Sequence, residues 1–199
     1  MLYYETVEPQ TLELLRKLQC LPSLRNTRLV GGTSLALQIG HRKSVDLDFF
    51  GEISVDSSVL TDELRELGNL VVLKASSRIH IYLLNNIKVD IIDYSYSWLE
   101  DSLYCDNLHL GGLKDIAAMK LAAITGRGTK KDFIDLYYLS QRFTLSEMLS
   151  FYERKYPDGT AFMVLKSLSY FDDAEDDPSP FMLEKVDWSD VKKHILSLL

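Results

Sequence analysis

Cysteine is nearly absent. The 199 residues hold two, Cys20 and Cys105, too few for a disulfide framework and not spaced as a CxxC metal site. Proline is missing from residues 23–156, all five prolines lying at 9, 22, 157, 178 and 180, so nothing there interrupts a ladder or a helix. No window approaches the ~18 consecutive apolar residues that mark a membrane-spanning helix, so no membrane partner is expected. The opening Met1-Leu2-Tyr3-Tyr4-Glu5 lacks the basic and apolar blocks of a signal peptide, and a reducing cytoplasm is the expected setting. An excess of basic residues is lacking too. Lys and Arg number 22 against 29 Asp and Glu, a net charge of −7, which is the wrong sign for a broad nucleic-acid-binding face. That charge is uneven: residues 172–177 carry −5 of it. With Pro178 and Pro180 beyond, the acidic stretch reads as a solvated loop, and the remainder of the chain is near neutral.

The remainder is ordinary for a globular chain of one domain or two small ones, with 46% hydrophobic and 26% charged residues. A helix is expected over residues 9–20, where Leu12, Leu15 and Leu18 share a face after Pro9. Leu29-Val30 reads as a strand running into Gly31-Gly32, followed by a helix from Thr33 to Gly40 with Thr33 or Ser34 as its N-cap. Strands follow at Val45–Phe50 and Leu70–Leu73, with a helix over 57–67 stopped by Gly68. Ile79–Leu84 and Ile87–Ile92 form a hairpin around Asn85-Asn86. Beyond Gly111-Gly112 the period turns helical, with helices near 113–125, 131–142, 145–154, 160–170 and 189–198. The expected class is α/β (α+β): a mixed sheet with flanking helices over residues 1–110, then a helical region over 111–199.

The sharpest pattern is Val45-Asp46-Leu47-Asp48-Phe49-Phe50. Strand side chains alternate, so Asp46 and Asp48 share one face and Val45, Leu47 and Phe49 the other. Paired carboxylates repel unless a cation sits between them, and hard oxygens at this spacing suit Mg²⁺ or Mn²⁺. An ordinary half-buried strand with a wet polar face would read the same way. Context adds weight. Separated from Asp46 by thirteen residues, Gly32 closes a strand–glycine–helix turn that permits close backbone approach and presents free N–H groups to an anion. A third acid, Asp90, lies opposite Ile87, Val89 and Ile91 in an apolar strand, where it needs a partner or a metal. Asp93 competes with it but sits at the strand end.

Gly31-Gly32, Asp46-x-Asp48 and Asp90 together resemble the nucleotidyltransferase superfamily. More narrowly, Val30-Gly31-Gly32-Thr33-Ser34-Leu35-Ala36-Leu37 and His41-Arg42-Lys43-Ser44-Val45-Asp46-Leu47-Asp48-Phe49-Phe50 resemble the AbiEii toxin family of type IV toxin–antitoxin pairs, related to the MenT toxins. That family also carries a later Lys…Arg…Lys-Asp block, matched here by Lys120, Arg127, Lys131 and Asp132. The resemblance spans about residues 25–140 and implies a nucleotidyltransferase-like sheet core. It implies that Asp46 and Asp48 hold two Mg²⁺ or Mn²⁺ ions with Asp90 on one of them. Gly31, Gly32, Thr33 and Ser34 would hold the phosphates of an NTP, and an acceptor hydroxyl would attack the α-phosphate with release of pyrophosphate. An RNA end is the implied acceptor, and a cognate antitoxin encoded next to the gene the implied partner.

The stretch Leu113–Lys131 carries +4. With the resemblance, Lys120 and Asp132 join the candidate catalytic set, and Arg127 and Lys131 the nucleotide-binding one. Arg42 flanks the carboxylates and is placed there too. Without the resemblance the block reads as a solvated face in which Lys130 and Lys131 pair with Asp132 or Asp135. Three other readings stand beside RNA nucleotidylation: nucleotidylation of a small molecule of the antibiotic type, a catalytically inactive nucleotide-binding module, and a DxD glycosyltransferase. The last needs a longer nucleotide-binding half than the 45 residues that precede Asp46.

Overall fold

Leu47 and Phe49 are fully buried and Asp48 and Phe50 half-buried, the alternation of a strand with one face on a core. In the computed structural model, which describes residues 1–199, this strand is β2 (Leu47–Gly51), and it lies at the centre of a seven-stranded sheet. The others are β1 (Thr27–Val30), β3 (Leu70–Ala75), β4 (Ile79–Leu84), β5 (Ile87–Asp93), β6 (Leu103–Cys105) and β7 (Leu108–Leu110), in the spatial order β3-β4-β5-β2-β1-β7-β6. Strands β1 and β2 pair antiparallel, β2 and β5 parallel, and β1 and β7 parallel, so the sheet is mixed as expected.

The chain divides into two compact units, residues 1–95 with 102–111, and residues 96–101 with 112–199. In the first, α1 (Pro9–Gln19), α2 (Gly31–Ile39) and α3 (Ser57–Arg65) accompany the sheet. Leu14, Leu15 and Leu18 of α1 and Leu60 and Leu64 of α3 join Leu29, Leu47, Phe49, Tyr82, Val89 and Ile91 of the strands in one apolar core. The second is helical: α4 (Leu113–Gly126), α5 (Lys130–Leu139), α6 (Leu145–Lys155), α7 (Ala161–Leu168), α8 (Asp172–Glu175) and α9 (Trp188–Ser197). Within it α4 packs against α5, α6 and α7, and α5 against α9. No helix is long and apolar enough to cross a membrane.

Three expectations need correction. Helix α2 begins at Gly31 with Val30 as N-cap and no side-chain cap, so Thr33 and Ser34 lie inside the helix and do not cap it. The strands β6 and β7 did not stand out in the sequence. Three residues each, they carry no long alternation, although Asp106 and Asn107 between them take the left-handed conformation of a tight hairpin turn. The acidic stretch is not a free loop. Asp172–Glu175 is a helical turn, Asp177 Oδ2 accepts from the backbone N–H of Lys130 at 2.9 Å, and Lys130 Nζ donates to the carbonyls of Glu175 (2.9 Å) and Asp177 (2.5 Å). The acids thus cover the start of α5, where unsatisfied N–H groups favour a carboxylate.

Candidate active site

Gly31 brings β1 into α2 with φ +66, a conformation that a side chain disfavours. It also passes so close to β2 that an added Cβ would overlap the Asp48 carboxylate, 2.9 Å from its Cγ. Gly32 is pressed likewise against the Arg42 guanidinium, 3.3 Å from Cζ. The two glycines therefore let backbone lie directly on an acid and a base. The first-turn N–H groups of α2 have no intrahelical partner and no side-chain cap, which is what an anion site at a helix N-terminus requires.

Asp48 stands in register with Asp90 on the neighbouring strand β5. Residues in register on parallel strands point to the same face, so the two carboxylates lie side by side. Asp93 instead pairs with Gly51 at the strand end, where its oxygens meet the Ile53 N–H and Arg78. Asp90 Oδ2 accepts from Lys88 Nζ at 2.6 Å, while Oδ1 is buried without a hydrogen-bond partner. Asp46 lies just ahead of β2, half-buried, and its carbonyl accepts from Thr33 Oγ1. No three acidic, His or Cys side chains converge as a ready three-ligand metal set. The orphaned Asp90 oxygen beside the Asp48 carboxylate is nonetheless a hard-oxygen donor set that a divalent cation fits.

Thr33 and Ser34, two of the residues expected at the phosphates, are fully buried. Thr33 Oγ1 also bonds Ser44 Oγ at 2.9 Å, and Ser34 Oγ accepts from Gln38 at 3.1 Å. They brace the turn, and the surface offered there is backbone. Arg42 is buried and donates from Nη1 to the Lys43 carbonyl at 2.9 Å. Lys88 went unnoticed in the sequence, although its spacing from Asp90 places both on one face.

The second unit holds its own charge cluster. Lys120 Nζ, on α4, meets Asp132 at 2.9 Å and Asp135 at 2.6 Å, and all three side chains are buried. The C-cap of α4, Arg127, reaches Asp132 from Nε at 3.0 Å and from Nη2 at 3.3 Å. Thr129, N-cap of α5, donates its hydroxyl to Asp132 at 2.6 Å. Burial alone would raise the Asp132 carboxyl, but Lys120 and Arg127 beside it hold it well below the usual carboxylate range. Lys120 is thus doubly paired in the interior, whereas Arg127 stays 60% exposed. Lys130 pairs with the 175–177 segment, not with Asp132 or Asp135. Lys131 lies half-buried in the first turn of α5.

A model of the family described as nucleotidyl transferase AbiEii toxin, type IV TA system, matches residues 13–98. That span contains the glycine turn and all three aspartates. Residues 13–98 belong to the AbiEii nucleotidyltransferase toxin family. An uncharacterised protein of Aquifex aeolicus, aq_aa25, is 36% identical over 171 residues, covering 83% of each chain. Among solved structures, MenT4, a nucleotidyltransferase toxin from Mycobacterium tuberculosis, aligns with TM-score 0.59 at 14% identity, over 92% of this chain and 78% of its own. JHP933 from Helicobacter pylori aligns with TM-score 0.56 at 17% identity, over 96% and 91%. At those identities the structural likeness is one of fold. The AbiEii match ends beyond β5, so β6 and β7 of the sheet unit and the helical cluster of Lys120, Arg127 and Asp132 fall outside it.

Proposed function

We propose that this AbiEii-family chain transfers a nucleoside monophosphate from an NTP to the hydroxyl of an RNA end, releasing pyrophosphate. In this reading it is the toxin of a cytoplasmic toxin–antitoxin pair. The observation that carries the reading is the register of Asp48 with Asp90 beneath the Gly31 turn. Asp46, Asp48 and Asp90 are the residues that would hold Mg²⁺ or Mn²⁺, as a pair of ions. When bound, such ions would supply Lewis-acid stabilisation to the attacking oxygen and the leaving pyrophosphate. The first-turn N–H groups of Gly32, Thr33 and Ser34 hold the phosphates, and the buried Thr33 and Ser34 hydroxyls keep that turn rigid. Within the helical unit, Arg127, aligned by Asp132 yet open to solvent, offers a cation to an RNA phosphate. Lys120 and Asp135 complete the frame that fixes Asp132.

The test is label transfer from α-³²P NTPs offered with RNA, with protein and with small molecules in parallel. Label should enter RNA and should vanish in the Asp46→Ala plus Asp48→Ala double variant. Transfer that persists in that variant contradicts the mechanism. Co-expression with a small helix-turn-helix protein encoded beside the gene should relieve growth arrest, and no direct contact between the two is required.

A further inference from the structure

The helical unit contains a cavity of about 350 Å³ where α4 ends and where α7 runs into the following turn. Its walls include Arg127, Lys166, Tyr170, Met163, Asp173 and Gly126. The volume falls in the range of small-ligand sites, a few hundred Å³. Arg127, paired on one edge with Asp132 yet 60% exposed, stands with Lys166 against Asp173, so two cationic side chains can meet an anion here. Tyr170 is 53% exposed and Met163 49%, an uncovered aromatic beside a soft apolar side chain, and nothing lies within 4 Å of where a Gly126 side chain would stand. Helices α4 and α7 both end here, and their last carbonyls can accept from hydroxyl or amino groups. The same helix ends repel an anion on their axes, which leaves a phosphate to the Arg127 and Lys166 side chains. Cation, exposed ring and acceptor carbonyls are together the recognition set of a nucleotide: phosphate, base, and ribose hydroxyls or base amines.

We infer that this cavity binds one nucleoside-phosphate unit of the acceptor strand, with its base on Tyr170 and its phosphate between Arg127 and Lys166. The choice of RNA strand over free NTP rests on the transfer reading above, which gives the NTP to the Gly31 turn. Lys166 and Tyr170 are both surface side chains, so Lys166→Glu and Tyr170→Ala should fold, as circular dichroism would check.

The experiment is fluorescence anisotropy on the full chain with two probes, a 5′-labelled short single-stranded RNA and a fluorescent ATP analogue. Each variant should lose about tenfold in RNA affinity and keep its affinity for the ATP analogue. RNA affinity unchanged in both variants, or no RNA binding by the native chain, overturns the proposal. Loss of ATP-analogue affinity alone overturns the assignment to the strand and gives the cavity to free nucleotide. The two readings fail separately. A native chain that binds RNA in this pattern but transfers no label defeats the transfer mechanism and leaves the cavity assignment standing. Transfer by the native chain, with RNA affinity indifferent to both substitutions, does the reverse.

Discussion

At Gly31 a positive φ and a carboxylate in near contact coincide, so Gly31→Ala has two costs. The left-handed conformation alone costs roughly 1–2 kcal/mol with a Cβ, and the added atom displaces Asp48. The variant should unfold at lower denaturant and lose about a hundredfold or more in transfer, measured by urea titration and by label incorporation. Asp90 differs, because its charge repels Asp48 in the absence of metal. Asp90→Asn should retain or gain thermal stability while transfer falls by about 10²–10³-fold; a stability loss with transfer intact would make Asp90 structural. Titration adds a third expectation. Burial lowers His80 and His109 below the ordinary 6.5, so the unfolded chain binds more protons than the native one as pH falls through that value. Their stabilising contribution is complete above about 6.5 and is lost below it. Urea midpoints should decline from pH 7 to 5, and the decline should flatten in His80→Gln. The depressed Asp132 acts the same way at lower pH: its contribution is present above the unfolded carboxylate range and lost as pH falls below it.

At the scale of elements, long-range polar ties decide where chain segments sit. Lys155 and Asp115 form a buried ion pair at 2.6 Å with both side chains fully covered. Asp115 also accepts from the N–H groups of Leu99 and Glu100, and Lys155 lies over the Trp98 ring. Residues 96–101 are held in the helical unit by this pair. Removing one partner of such a pair costs roughly 3–5 kcal/mol, so Lys155→Met should lower thermal stability sharply, and a change under about 1 kcal/mol would show that water reaches the pair. These ties also explain what the sequence could and could not convey. The Gly31-Gly32 turn, Asp46-x-Asp48 and Asp90 were legible because period-two alternation and glycine spacing are local signals. The pairing of Asp48 with Asp90 depends on strand register, and the hold of Asp177 on Lys130 spans 47 residues, so neither leaves a local trace. The partners of the buried Thr33 hydroxyl, Ser44 and the Asp46 carbonyl, leave no local trace for the same reason.

For the whole molecule, the charge of −7 no longer argues against a polyanionic substrate. The acidic 172–177 segment is engaged with Lys130 and with Lys192 through Glu175, and three further carboxylates belong to the proposed metal site. In the proposed reading the aspartates of the sheet unit need metal before that site can take triphosphate. Chelation should therefore abolish transfer while leaving the circular dichroism spectrum unchanged, with activity restored by Mg²⁺ or Mn²⁺. The most direct test of the central claim is incorporation of α-³²P label into RNA by the native chain and by Asp48→Ala, with Mg²⁺ present. Labelled RNA is expected from the first and none from the second. Equal labelling by both would contradict it.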